Sequence, residues 1–134
     1  MVMNALFPYS AQTRDVVVRV AVSFLIEQSE PSRGHWFWAY HIRIENLGRQ
    51  PVQLMTRHWT ITDGRGARHE VRGDGVVGEQ PVIEPGQSYD YVSGCPLHTP
   101  TGAMEGSYHI VSGDGSSFDA RIPRFPLTAP AVAT

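Results

Sequence analysis

The segment His35-Trp36-Phe37-Trp38-Ala39-Tyr40-His41-Ile42-Arg43-Ile44-Glu45-Asn46 decides the fold class. One parity carries Trp36, Trp38, Tyr40, Ile42 and Ile44, and the other carries Phe37, Ala39, His41, Arg43 and Glu45. Successive side chains of a strand point to opposite faces, so the alternation specifies a central strand with one face in a core. Its rings are large enough to fill the space between two packed sheets. Phe37, on the outer parity, is expected either under a neighbouring loop or in an interaction patch. Upstream, Val16, Val18, Val20, Val22, Phe24 and Ile26 repeat the pattern with β-branched and aromatic residues. Downstream, residues 52–63 place Met55, Trp59 and Ile61 on one parity, and shorter runs follow at 69–71, 82–83, 89–92, 108–111 and 118–122.

Turn chemistry separates these runs: Asn46-Leu47-Gly48, Asp63-Gly64-Arg65-Gly66, Glu84-Pro85-Gly86, Pro100-Thr101-Gly102 and Gly113-Asp114-Gly115. Each supplies a residue that tolerates positive φ where a hairpin needs one. No window sustains the i, i+3, i+4, i+7 apolar pattern of a helix. Seven or eight short strands in one chain specify an all-β, antiparallel sandwich of the immunoglobulin or fibronectin type III kind, although a small closed barrel shares the signature. Pro123 and Pro126 are expected to prevent ladder pairing and to end the last strand.

The chain has 134 residues, 41% of them apolar, which suits one core. Residues 1–13 read as an irregular segment, 14–128 as a single domain and 129–134 as a frayed tail. No apolar run is long enough for a transmembrane helix and no secretory signal is visible, so a cytoplasmic protein without membrane insertion is expected. The lone Cys95 rules out an intrachain disulfide and a thiolate zinc cluster. All eleven basic side chains are arginine, which removes Walker A, Schiff-base and general-base lysine chemistry. A formal charge of −2 argues against a nucleic-acid partner. The strand Val16 to Ile26, if it lies at a sheet edge, could pair with a second copy to form a homodimer.

Few residues suggest chemistry. Gly73-Asp74-Gly75-Val76-Val77-Gly78 fits G-x-G-x-x-G, yet Glu79-Gln80-Pro81 follows where a dinucleotide-binding fold would open a helix. What remains is a loop between strands, or a nest of backbone N–H groups that could hold a phosphate with help from Arg57 and Arg72. Asp74 would oppose such an anion. The six histidines form no H-E-x-x-H motif, and no metal or other cofactor is expected. Cys95 and His98 can be drawn as a catalytic pair, but a lone cysteine reads more simply as a small buried apolar residue. No carboxylate pair suggests glycoside hydrolysis, and a non-enzymatic protein is expected.

Taken in order, Arg57-His58-Trp59-Thr60-Ile61-Thr62-Asp63, Val71, the string from Gly73 to Pro81 and Pro85-Gly86 resemble the bacterial ApaG (CorD) family. So do Tyr91, Ser93-Gly94, Leu97, Thr99-Pro100, Gly102, Met104, Gly106, Tyr108, Ile122-Pro123, Phe125 and Leu127. The resemblance spans Val16 to Leu127. It implies a fibronectin type III-like sandwich, a genetic link to cobalt and magnesium efflux and to a neighbouring diadenosine tetraphosphate hydrolase, and no established catalysis. Related domains in eukaryotic F-box proteins and in a DNA polymerase delta-interacting protein imply a protein-binding role. The family's glycine-rich loop, discussed as a pyrophosphate site, falls on Gly73, Gly75 and Gly78. Cys95 and His98 lie outside the matched pattern.

Overall fold

The structure, a computed structural model, describes residues 6–130. Its strands are β1 (Tyr9–Thr13), β2 (Val16–Phe24), β3 (Trp36–Asn46), β4 (Val52–Asp63), β5 (Arg68–Asp74), β6 (Val82–Ile83), β7 (Ser88–Leu97), β8 (Thr101–Ser112) and β9 (Ser117–Thr128). Two antiparallel sheets, β1-β2-β3-β7 and β5-β4-β8-β9, pack face to face, with β6 added to one end of β4. This is the immunoglobulin or fibronectin type III-like sandwich that the alternation specifies, with one strand more than expected. Among the described residues no helix is long and apolar enough to cross a membrane.

The core follows the parity rule. Trp38, Tyr40, Ile42 and Ile44 of β3 are buried beside Val16, Val18 and Val20 of β2, and they meet Trp59, Met104, Tyr108, Ile110, Ile122 and Phe125 from the other sheet. The buried Asn46 is satisfied locally. Its Nδ2 donates to the carbonyls of Gln50 and Ile83, and its Oδ1 accepts from the Gly48 N–H. Phe37, on the outer face of β3, lies across Gly94 of β7.

Four features depart from the sequence expectation. Part of the segment 1–13 expected to be irregular is strand β1, which pairs with β2 from Tyr9↔Val20 to Thr13↔Val16. Residues 1–5 lie outside the described residues. As a result β2 sits between β1 and β3, so it is not the free edge that pairing with a second copy through this strand requires. The last strand also continues through both prolines to Thr128. Pro126 faces Ala103 in the ladder, and the Ala129 N–H donates to the Pro100 carbonyl. Because bonded and non-bonded pairs alternate, Pro126 falls where its nitrogen points off the sheet, and Pro123 falls where the register shifts between Met104 and Gly106. Of the expected tail, Ala129 is bonded in this way and residues 131–134 lie outside the described residues.

The fourth departure is in β4. Val52 and Leu54 are its buried residues before Met55, whereas Trp59 is buried after it. The register against β8 jumps between Leu54 and Thr56, so Met55 is the extra residue of a β-bulge and the inward parity changes there. Met55 is therefore not in phase with Trp59 across a regular strand. Beyond the bulge, Arg57, Trp59 and Ile61 face inward.

Candidate functional site

The two sheets close on one side of the sandwich and diverge on the other. On the closed side β9 packs against both β1 and β2. On the open side β5 ends one sheet and β7 ends the other, leaving a cleft of about 490 Å³ between them. The walls carry Trp59, Val71, Val76, Tyr91, Leu97 and Met104, with Arg57 and His69 as the basic groups. Among the described residues no carboxylate lines the cleft.

The loop that follows β5 shapes one end of it. The Val76 N–H donates to the Glu79 carbonyl at 2.8 Å and the Glu79 N–H returns to the Val76 carbonyl at 2.9 Å. The central residues Val77 and Gly78 have φ of 43° and 83°, the pattern of a type I′ hairpin turn. Gly75 has φ of 61°, and a Cβ there would stand 2.1 Å from the Glu79 carbonyl oxygen. Its N–H donates to Met55, the bulge residue. Val76 inserts into the core while Val77 projects outward. A β-branched residue at positive φ is strained, by about 1–3 kcal/mol.

The residues expected to hold an anion take a different arrangement. Arg57 Nη1 donates to the carbonyls of Asp74 and Gly75, at 2.9 and 3.0 Å. The guanidinium lies against Gly73, where a Cβ would stand 2.7 Å from Nη2. The loop therefore turns carbonyl oxygens toward a cation, while the N–H groups of Gly75, Val76 and Glu79 are spent within the protein. Arg72 lies on the other parity of β5 and approaches Glu70 Oε1 at 3.7 Å. On that outer face His58 Nε2 meets Glu70 Oε1 at 2.7 Å, and this contact holds the Glu70 carboxyl below its ordinary range. Thus Arg57, Gly73, Asp74 and Gly75 come together, Gly78 serves the turn, and Arg72 is directed elsewhere.

Beneath the cleft, the buried Tyr91 and Tyr108 hydroxyls share a hydrogen bond. Burial raises both tyrosine pKa values and that of Tyr40, while the Arg57 charge acts in the opposite sense on all three. Cys95 is also buried. Its thiol, pushed up to about 11 by burial, faces the Pro96 carbonyl, whereas His98 contacts the Gly34 carbonyl and stacks edge-on with His35. These partners do not make Cys95 and His98 a catalytic pair. Among the described residues no group of three or more His, Cys, Asp or Glu side chains gathers. Sequence reasoning missed Val71, Val76, Tyr91 and Met104 as neighbours of Arg57. The shared parity of Arg57 with Trp59 and Ile61 was the available signal.

Fold and cleft together define a fibronectin type III-like sandwich with an open, apolar mouth and one inward arginine. The family model for the ApaG domain matches residues 26–112. Protein ApaG of Methylobacterium sp. strain 4-46 is 54% identical over 124 residues, covering 92% of this chain and 95% of the relative. Protein ApaG of Afipia carboxidovorans is 55% identical over 124 residues, with the same two coverages. A crystal structure of a Bordetella pertussis protein described as ApaA superposes with a TM-score of 0.85 at 47% identity, covering 88% of this chain and 96% of that one. The chain belongs to the ApaG family.

Proposed function

We propose that this chain is a non-enzymatic binding module, acting in the cytoplasm, that engages a protein partner along the open side of its sandwich. The observation that carries the proposal is the pair of unpaired strand edges, β5 and β7, that border one opening. The Asp63 N–H donates to the Ala67 carbonyl and the Asn46 N–H to the Gln87 carbonyl. By the alternation of antiparallel ladders, Arg72 of β5 and Val92 of β7 then turn their backbone groups outward. An extended partner segment could add to either edge, with the exposed Val71, Val77 and Val92 as apolar contacts. The protonated, buried Cys95 thiol supports binding over nucleophilic catalysis. The connection to cobalt and magnesium efflux that the family resemblance implies then runs through the partner.

The test is a native pull-down with the tagged full chain from its own cell, alongside Arg72→Pro and Val92→Pro. Each proline deletes an outward N–H without removing a ladder bond. A partner held by the wild-type chain and lost from one of the two variants is expected. Equal recovery by both variants, with folding intact by circular dichroism, would overturn edge pairing.

A further inference from the structure

We propose that the cleft between β5 and β7 is a binding site for a small monocarboxylate with an aromatic or alkyl body, gripped by the Arg57 guanidinium. This goes beyond the protein-binding role, because it concerns the cleft floor and stands whether or not a partner uses the rim.

The volume, about 490 Å³, lies in the range of small-molecule sites, and the lining has the expected character: mostly apolar and aromatic, with few polar groups. Trp59, Val76, Met104 and Leu97 are buried in its walls, and Val71 and Val77 remain exposed at the mouth. Such a surface takes an apolar body.

The charge identifies the other end of the ligand. Arg57 brings a guanidinium cation to the cleft. Nη1 is committed to two loop carbonyls, which fix the plane of the guanidinium. Among the described residues no acceptor takes Nη2 or Nε, and no carboxylate pairs with Arg57. A cation held at an apolar surface without a counter-ion favours an anion from solution. The remaining fork of donors matches the two oxygens of a carboxylate. The cradle orients Arg57 before any ligand arrives, so little side-chain freedom is lost on binding.

The number of charges selects a monoanion. Among the described residues Arg57 is the only arginine lining the cleft, and the exposed His69 is the only other basic group. Arg72 faces the opposite side with Glu70. A di- or polyphosphate would bring several negative charges to one compensating cation. A phosphate monoester also carries more than one charge near neutrality. A carboxylate balances Arg57 one to one.

The test uses amide NMR spectra of the full chain during titration with benzoate, 3-phenylpropionate and octanoate, each beside its neutral amide, and with inorganic pyrophosphate. At least one carboxylate should saturate, with shifts confined to Val71, Val76, Val77 and the facing part of β7, and with contacts from the ligand to the Trp59 ring. Its amide should bind about tenfold more weakly or worse, as expected for losing a charged hydrogen-bond partner. Val71→Trp, which narrows the mouth without touching Arg57, should abolish the shifts while leaving the rest of the spectrum unchanged. Arg57→Lys keeps the charge but loses the fork and should weaken binding. The proposal is overturned if no carboxylate saturates by about 10 mM, or if amide and acid bind alike. Shifts that lie outside the cleft, or binding by pyrophosphate in place of the carboxylates, would overturn it equally.

Discussion

The closed and open sides of the sandwich use the same alternating strands to opposite ends. On the closed side β1 covers β2, and both pack on β9. Trp38 Nε1 also donates across the sheets to the Thr128 carbonyl at 3.2 Å. Phe125 of β9 reaches the rings of Tyr9, Tyr40 and Trp59, so one side chain joins the first strand to the centre of the core. On the open side β5 is exposed along almost its whole length. There the apolar residues Val71 and Val77 sit at a rim, a strained turn follows, and an arginine is held by carbonyls. The difference teaches that the closed side can supply the stability that lets the open side remain unfilled.

The largest effect should come from the closed side. Phe125→Ala removes a fully buried ring and should lower stability by about 3–5 kcal/mol, read from denaturant unfolding. A loss under about 1 kcal/mol would mean that the closed side does not anchor the fold as described. Next comes the loop. Gly75→Ala places a Cβ against the Glu79 carbonyl in a left-handed backbone, and a loss of about 2–3 kcal/mol is expected from the same measurement. Neutral behaviour would show that the loop shifts freely and does not cradle Arg57. The smallest effect has the opposite sign. Val77→Asn converts Val77-Gly78 into the dipeptide that a type I′ turn prefers and should stabilise by about 0.5–1 kcal/mol. If it destabilises instead, Val77 contributes packing at the rim that outweighs its strain.

Much of the architecture was legible because β2, β3 and most of the later strands obey period two, and because glycines mark the turns. Strand β1 was not, since Tyr9–Thr13 offers one aromatic among small and polar residues and acquires its conformation by pairing with β2. The prolines of β9 misled for a geometric reason: their cost depends on which way each nitrogen points, and that is fixed only by the register. At the site, the structure brings Arg57 against Gly73, Asp74 and Gly75, whereas Gly78 lies in the turn and Arg72 on the outer face. The direction of the loop dipoles was hidden, because it depends on the signs of φ at Gly75, Val77 and Gly78, which the residue types alone do not give. Val77 in particular gives no warning of a left-handed backbone.

The bulge at Met55 makes one backbone carbonyl a support of the site. Remove Met55 and β4 becomes an unbroken strand: Leu54 opposite Ile110 is followed directly by Thr56 opposite His109, so Arg57 and Trp59 stay inward, but the carbonyl that accepts from the Gly75 N–H and the Gln80 side-chain amide is lost. Such a change touches no glycine, no cleft residue and no charge, yet it unties the loop whose carbonyls hold Arg57. Across variants of this chain, loss of residue 55 is therefore the more damaging event, and a replacement of its side chain the milder one, because any residue there supplies the carbonyl.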